Sequence, residues 1–324
     1  MIELQDISKS FRVAKRNPGF ASAVKALFSR QYETVHALNE VSFKINKGEM
    51  VGYIGPNGAG KSTTIKIMCG ILTPDQGSCI INGRIPWQDR VAHVREIGVV
   101  FGQRSQLWWD VPVADSFVLL KDVYQVDDRQ FQHNLDELVA LLDLAELLKT
   151  PTRSLSLGQR MRCELAASLL HSPQILFLDE PTIGLDAVSK IAVRQFIKKL
   201  NRERGTTVIL TTHDMQDIEV LTERIILIGK GRILLDGNLP ELKKRFSHEK
   251  TLRIEYYGAQ PQLVPGMTVI EQQAGRLVIV LETEICTVSQ AIAHLSSQVE
   301  IIDLSVSGIS AEEMVATLYK EYQL

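Results

Sequence analysis

Residues 51–68, VGYIGPNGAGKSTTIKIM, run from a short apolar stretch through a glycine-rich turn into a helical pattern. The turn and the first helical residues fit the motif G-x-x-x-x-G-K-[ST]. Glycines allow positive φ angles, so the backbone of such a turn can direct several N–H groups toward a polyphosphate. The helix that follows adds the positive end of its dipole. The stretch therefore predicts a phosphate-binding loop, rather than a glycine-rich turn with a chance lysine.

Two side chains of this loop have predicted roles of their own. Lys61 would bridge the β- and γ-phosphates of a nucleoside triphosphate, and the Ser62 hydroxyl would ligate Mg²⁺. The residues of the loop that are predicted to contact the nucleotide are Gly55, Pro56, Asn57, Gly58, Ala59, Gly60, Lys61, Ser62 and Thr63.

Composition and charge narrow the class of protein. The 324 residues carry 36 Lys and Arg against 38 Asp and Glu, so the overall charge gives no argument for binding nucleic acid. The four cysteines are scattered and form no C-x-x-C pair, which argues against a zinc site or a disulfide framework. The sequence has no N-terminal secretory signal pattern and no apolar run of the roughly 18 residues that a membrane span needs. We therefore expect a cytosolic chain that works at a membrane only through a partner.

Short apolar runs alternate with helical patterns over residues 1–240. The predicted core elements are the strands Ile175–Leu178, Thr207–Thr211 and Ile225–Ile228, with the helix Val188–Arg202 as a crossover. Residues 105–172 have helical periodicity, and alternation at Ile2–Phe11 predicts a half-buried strand. We therefore expect an α/β fold, with a P-loop NTPase core built on a parallel sheet, an antiparallel β flank and a helical subdomain.

Two further regions differ from this core. Residues 12–31 form a basic insertion with a helical pattern at Ala21–Phe28, for which a solvated loop and a contact with lipid headgroups or a membrane partner are both open. Residues 241–324 combine short alternating runs with helical patterns, and the sequence from Ser310 to Glu313 fits a capping box. This region predicts a small C-terminal α/β domain.

A second motif ends a predicted strand with two carboxylates. Residues 175–180 read ILFLDE, and a buried strand of this kind would deliver Asp179 to the Mg²⁺ shell, directly or through water. Glu180, one residue further, would orient a water for in-line attack on the γ-phosphate. Acidic residues that simply end a strand are the alternative. With the phosphate loop upstream, the pattern favours hydrolysis of a nucleoside triphosphate.

Residues 155–159, LSLGQ, resemble the L-S-G-G-Q signature of ATP-binding cassette (ABC) ATPases. The resemblance covers about residues 1–240. The other family motifs follow in the family order, namely Gln103 in the glutamine loop, Gly184-Leu185-Asp186 in the D-loop and His213 in the switch.

The resemblance implies that two such domains pack head to tail around two ATP molecules. Each site would combine Lys61 of one chain with the signature of the other. The residues implied on the opposing side are Ser156, Gly158 and Gln159, and Asp186 would link the two sites. Gln103 would sense the attacking water and join Ser62 and Asp179 at the Mg²⁺. His213 would hydrogen-bond the γ-phosphate, so the implied catalytic residues are Glu180, His213 and Gln103.

Two positions leave alternatives open. An aromatic side chain is expected to stack on adenine. Tyr32 lies where the family usually has it and is the preferred residue, with Phe11 as the rival, because the basic insertion separates two alignments. In the signature, Leu157 replaces the first glycine, where a side chain could crowd the opposing nucleotide, while Ser156 and Gly158 remain. We expect a competent site with altered packing at Leu157.

No membrane segment is evident, so the resemblance implies separate transmembrane permease subunits. Trp108 and Trp109 follow the glutamine loop, where the family docks its permeases, although burial within the helical subdomain is the alternative. Residues 309–315, ISAEEMV, resemble the P-S-L-E-D-V-F tract, although without its proline, that begins the final helix in ATPases of type-2 ABC exporters of the drug, sodium, polysaccharide and viologen classes. The implied function is ATP hydrolysis at the cytoplasmic face of the cell membrane, with a second copy or a paralogous ABC ATPase as partner and no nucleic acid. A soluble ABC regulator whose C-terminal domain binds a ligand or protein is the alternative.

Overall fold

The computed structural model describes residues 1–14, 32–102, 104–245, 249–308 and 310–322. They form two compact units, Met1–Asp236 and Gly237–Leu324. Gln103 and the predicted insertion helix at Ala21–Phe28 lie outside the described residues. Within the described ranges, no helix is long and apolar enough to cross a membrane.

The strands of the first unit form two sheets. In chain order they are β1 (Ile2–Ala14), β2 (Tyr32–Ile45), β3 (Met50–Ile54), β4 (Gln76–Ile81), β5 (Ile97–Phe101), β6 (Ile175–Asp179), β7 (Thr207–Thr211), β8 (Arg224–Gly229) and β9 (Arg232–Asn238). One sheet is antiparallel with the order β2-β1-β4, and the other has the order β5-β6-β7-β3-β8-β9. In the second sheet the neighbouring strands β5, β6, β7, β3 and β8 are all parallel to one another.

A hairpin turn joins β8 to β9. Its two central residues, Lys230 and Gly231, have φ angles of 48° and 77°. Positive φ at both positions is the geometry of the two-residue turns that connect antiparallel strands. The strands β8 and β9 are therefore joined by a tight two-residue turn.

Helices cover the parallel sheet. In chain order those of the first unit are α1 (Lys61–Met68), α2 (Arg90–Val94), α3 (Val113–Tyr124), α4 (Asp128–Leu142), α5 (Leu157–Leu169), α6 (Ala187–Arg204) and α7 (Met215–Leu221). Residues 105–172 contain α3, α4 and α5, which bury Phe117, Leu138 and Leu165 completely. The predicted α/β fold, with a parallel core, an antiparallel flank and a helical subdomain, is confirmed.

The central strands of the parallel sheet are buried on both faces. Every residue of β7 is buried, as are the first four residues of β6, which is why both read as continuous apolar runs rather than alternating ones. The register pairs Asp179 at the end of β6 with Thr211 at the end of β7. Because ligands of such sheets bind outside the carboxyl ends of the strands, this edge is where a site is expected.

The described residues of the second unit form an antiparallel sheet and three helices. Its elements are α8 (Leu239–Arg245), β10 (Glu249–Tyr257), β11 (Met267–Gln273), β12 (Arg276–Glu282), α9 (Val288–Ser296), β13 (Glu300–Gly308) and α10 (Ala311–Glu321). The strand order is β11-β12-β10-β13. Leu252, Ile279 and Leu295 belong to a core of its own. Ser310 caps α10 by accepting a hydrogen bond from the Glu313 N–H (3.1 Å), so the predicted capping box is present.

Candidate functional site

The phosphate loop connects β3 to α1 and is held by backbone contacts from outside the motif. Gly60 precedes the helix with a φ of 112°, and a Cβ there would lie 2.7 Å from the carbonyl oxygen of Ala37. The N–H of Gly231, in the β8–β9 turn, donates to the carbonyl of Ala59 at 3.0 Å. Only glycine combines this backbone conformation with such a close approach at position 60.

Lys61 directs its ammonium group into the loop. The Nζ atom donates to the carbonyl oxygens of Gly55 (2.5 Å) and Pro56 (3.1 Å). Burial lowers the pKa of Lys61, and the carboxylates of Glu180 and Asp179 oppose that shift. The predicted phosphate-binding cation therefore lies between the loop backbone and the two acidic residues that end β6.

Asp179 and Ser62 are brought together at the carboxyl end of β6. The Ser62 hydroxyl donates to Oδ2 of Asp179 at 3.4 Å, and the Thr211 hydroxyl donates to Oδ1 at 2.5 Å. Carboxylate and hydroxyl oxygens are ligands that Mg²⁺ accepts, usually alongside waters and substrate phosphates. The two residues thus fit the predicted metal site, whose third predicted ligand, Gln103, lies outside the described residues.

Glu180 and His213 face each other across the ends of β6 and β7. His213 Nε2 lies 2.8 Å from Glu180 Oε1, and the two side chains are 44% and 21% exposed. Glu180 has a φ of 55°, a left-handed conformation that non-glycine residues seldom adopt. Residues held in such conformations cluster at functional sites. The two predicted catalytic side chains therefore form a contacting pair that solvent can reach.

A cavity of about 260 Å³ opens beside this pair. Its lining residues are Ser62, Lys66, Ile71, Phe101, Gly102, Arg104, Asp179 and Glu180. The cavity thus connects the predicted metal ligands, the predicted catalytic carboxylate and the segment around residue 103.

Asp217 links the two chain segments that carry the catalytic pair through the side chains of Thr182 and Thr212, a role that sequence reasoning missed. Its carboxylate is fully buried and accepts hydrogen bonds from the hydroxyls of Thr182 and Thr212, the latter at 2.9 Å. The other oxygen accepts from Nε of Arg194 at 2.5 Å. Thr182 follows Glu180 by two residues and Thr212 precedes His213, so this network fixes both chain segments. In the sequence, Asp217 looks like an ordinary acidic residue in the first turn of a helix.

The signature residues form the N-terminus of α5. Ser156 Oγ accepts from the N–H of Gln159 at 3.2 Å, and the N–H of Ser156 donates to Gln159 Oε1 at 2.9 Å. This is a capping box, which leaves the helix terminus ordered and Ser156 exposed. Among the hydrogen bonds of the described residues, none joins Ser156 or Gln159 to the phosphate loop of the same chain.

The D-loop packs against the signature within one chain. Asp186 caps α6 by accepting from the N–H (2.9 Å) and the hydroxyl (2.7 Å) of Ser189, and these bonds lower the pKa of Asp186. A Cβ on Gly158 would lie 2.5 Å from Ser189 Oγ, and one on Gly184 would lie 2.7 Å from Cδ2 of Leu157. Part of the Leu157 side chain is therefore taken up by contact with its own D-loop.

The two candidate aromatic residues lie on the β1–β2 hairpin at different distances from the phosphate loop. Phe11 pairs with Val35, and Tyr32 pairs with Ala14 at the far end of the hairpin. Ala37, which approaches Gly60, is two residues from Val35 and five from Tyr32. Since a strand rises about 3.3 Å per residue, Tyr32 is roughly 16 Å along β2 from that contact. The register favours Phe11 over Tyr32.

Comparison with known proteins identifies the family. A family model described as "ABC transporter" matches residues 38–183, which include the phosphate loop, the signature and both carboxylates at the end of β6. The Linearmycin resistance ATP-binding protein LnrL of Bacillus subtilis is 31% identical over 218 residues, which cover 67% of this chain and 70% of that protein. The chain belongs to the ABC transporter ATP-binding protein family.

Other comparisons show how far this ABC protein resembles its relatives. A solved structure, titled "Dimeric structure of a post-hydrolysis state of the ATP-binding cassette MJ0796 bound to ADP and Pi", is 26% identical with a TM-score of 0.61. The match covers 74% of this chain and 99% of the chain in that structure. ABC transporter A family member 1 of Dictyostelium discoideum is 28% identical over 265 residues, 81% of this chain, but the chain spans only 30% of that protein.

Proposed function

We propose that this ABC protein hydrolyses ATP and thereby energises a separate membrane permease, as one half of a head-to-tail pair of ATPase domains. The observation that carries the proposal is the Glu180–His213 contact of 2.8 Å beside the Ser62–Asp179 pair. Together with the phosphate loop, this arrangement supplies a cation for the phosphates, oxygen ligands for a metal and a base for a water.

Each of these residues has a distinct task in the proposed reaction. Lys61 and the loop N–H groups bind the β- and γ-phosphates and hold the γ-phosphate in line with the attacking water. Glu180 orients that water and accepts its proton, while His213 donates a hydrogen bond to the γ-phosphate. Ser62 and Asp179 would hold a Mg²⁺ ion, which would supply charge neutralisation on the phosphate oxygens.

The signature of a second chain would complete the site. Ser156 is exposed at the N-terminus of α5, where a hydroxyl and the positive end of a helix dipole favour an anion. Gly158, Gln159 and Asp186 would join it at the interface between two copies, or between this chain and a paralogue. The MJ0796 cassette, a dimeric structure in a post-hydrolysis state bound to ADP and Pi, supports this arrangement by similarity.

An aromatic side chain is proposed to stack on the adenine ring, with Phe11 as the better candidate. Replacing Phe11 by Ala should weaken ATP binding about tenfold, because stacking of a base on an aromatic ring is worth about 1–3 kcal/mol. Replacing Tyr32 by Ala should leave the Kd unchanged and is the matched control. Calorimetric titration with ATP measures both. The reverse pattern would assign the role to Tyr32.

Trp108 and Trp109 are proposed to dock the permease. Their exposed fractions are 42% and 52%, so both are available at the surface of the helical subdomain. Trp109 lies under the guanidinium of Arg160, with 6.0 Å between Cζ and the ring centroid. Exposed aromatic residues are enriched among the side chains that dominate protein interfaces. The name of the relative LnrL, a resistance protein, favours an exporter located at the cytoplasmic face of the cell membrane.

Replacing both tryptophans by Ala should leave the chain folded and weaken its retention by the permease about tenfold or more. The tagged chain is purified from detergent-solubilised membranes, and the amount of a polytopic membrane protein recovered in fixed ratio to the chain is measured. ATPase activity is then measured after reconstitution into vesicles. Tyr257→Ala, which removes an aromatic side chain that is 75% exposed in the second unit, is the control. Retention unchanged by the double substitution contradicts this docking surface. An active wild-type chain without any such membrane protein favours the soluble regulator instead.

A further inference from the structure

Glu164 is a buried carboxylate that the proposed hydrolysis does not use. It lies on α5 and is only 4% exposed, and its neighbours Cys163, Leu165 and Ala166 are fully buried. Burial raises the pKa of Glu164, and the hydrogen bonds that its carboxylate accepts oppose this rise. Because burying a carboxylate is costly unless it is hydrogen-bonded, the groups that it binds indicate what it does.

Among the described residues, the hydrogen bonds to the Glu164 carboxylate come from the short segment that follows residue 103. One carboxylate oxygen accepts from the Ser105 hydroxyl and the other accepts from the N–H of Gln106 at 3.2 Å. The Gln106 side chain donates in turn to the backbone carbonyl of Glu164 at 3.0 Å. The Ser105 hydroxyl oxygen also accepts from the N–H of Leu107 at 3.1 Å. Glu164 therefore fastens Ser105 and Gln106 to α5 directly, and Ser105 in turn holds Leu107.

The same face of α5 also holds Trp109 and carries the signature serine. Arg160, which lies over the Trp109 ring, is one turn before Glu164. Ser156, the N-cap, is one turn before Arg160. Residues spaced by four share one face of a helix. The tryptophan segment and the exposed Ser156 are thus attached to one side of a single rigid element.

We propose that Glu164 is a positioning residue, which locks residues 105–109 to α5 so that a nucleotide engaging Ser156 alters the environment of Trp108 and Trp109. The inference rests on the proposed function, since it requires ATP at the signature. In this inference the carboxylate of Glu164 links the nucleotide to the exposed pair Trp108 and Trp109. The linkage is reciprocal, so a partner that displaces the tryptophans would also change nucleotide affinity.

Tryptophan fluorescence tests this link in the full chain. The sequence contains three tryptophans, so a Trp87→Phe background reports on Trp108 and Trp109 alone. Acrylamide quenching is measured with and without Mg²⁺ and the non-hydrolysable analogue AMP-PNP, while calorimetry gives the affinity. We expect the analogue to change the quenching constant in this background. In Glu164→Gln and in Ser105→Ala that change should fall at least threefold, with a Kd within about twofold. Glu146→Gln, an exposed carboxylate of the same subdomain, is the control.

The outcomes separate this inference from the proposed function. If both Glu164→Gln and Ser105→Ala keep the full change in the quenching constant, the inference is overturned. It is also overturned if the Trp87→Phe chain binds AMP-PNP without any change in its quenching constant. Failure of the background protein to bind the analogue would instead contradict the proposed function. Glu164→Gln keeps the size of the side chain, and Ser105 is exposed, so a folding defect in one variant leaves the other to decide.

Discussion

Replacing Glu180 by Gln is expected to lower ATP turnover by about 10²-fold or more while ATP still binds. The amide has nearly the same shape, so the contacts of the phosphate loop remain, but it cannot accept a proton from the attacking water. Removing a catalytic group that acts mainly in the transition state typically costs this much. The pair of domains should then accumulate in an ATP-bound state, because the reaction that separates them is blocked.

Steady-state phosphate release measures the turnover, and size-exclusion chromatography with ATP detects the accumulated dimer. Glu223→Gln is a matched control, because Glu223 is an exposed carboxylate of the same unit. Turnover close to that of the wild type in Glu180→Gln would show that another group prepares the water. His213 would then be the first candidate, since it contacts Glu180 at 2.8 Å.

Replacing Lys61 by Ala is expected to weaken ATP binding itself, by roughly 10- to 100-fold. Hydrogen bonds to charged groups are worth about 1.5–3 kcal/mol, and each 1.4 kcal/mol is a factor of ten in Kd. The substitution also removes the bonds from Nζ to the carbonyls of Gly55 and Pro56. Some loss of thermal stability should therefore accompany the loss of affinity.

Calorimetry at fixed Mg²⁺ distinguishes this result from an effect on turnover. Lys198→Ala, at an exposed position on α6, controls for the change in net charge. An unchanged Kd together with slower hydrolysis would mean that Lys61 acts in the transition state and contributes little to binding. That result would require the loop N–H groups to supply most of the ATP affinity.

The sequence predicted the core of this site because its residues lie at fixed distances from strand ends. Asp179, Glu180 and His213 follow apolar runs, and the carboxyl ends of neighbouring parallel strands meet at one edge of the sheet. Their proximity could therefore be inferred without knowing any side-chain contact. The capping box at Ser310 was predicted for a similar reason, because it depends only on local spacing.

Other features depend on contacts between distant parts of the chain and could not be read from it. Asp217 and Glu164 look like ordinary acidic residues of amphipathic helices, and only packing shows that both are buried. The preference for Phe11 over Tyr32 needs the hairpin register, which the insertion between the two strands concealed. In each case a residue's partners, and not its neighbours in sequence, decide its role.

The contact of the β8–β9 turn with the phosphate loop has a consequence for the energetics of ATP binding. Gly231 fixes the backbone of Ala59, and Gly60 lies against Ala37, so the loop is ordered by the fold itself. Fixing a backbone residue costs about 1–2 kcal/mol in conformational entropy. A preorganised loop incurs that cost when the chain folds rather than when ATP binds. Residues outside the phosphate loop, such as Gly231, would thereby contribute to nucleotide affinity by limiting the conformational freedom of the loop before ATP binds.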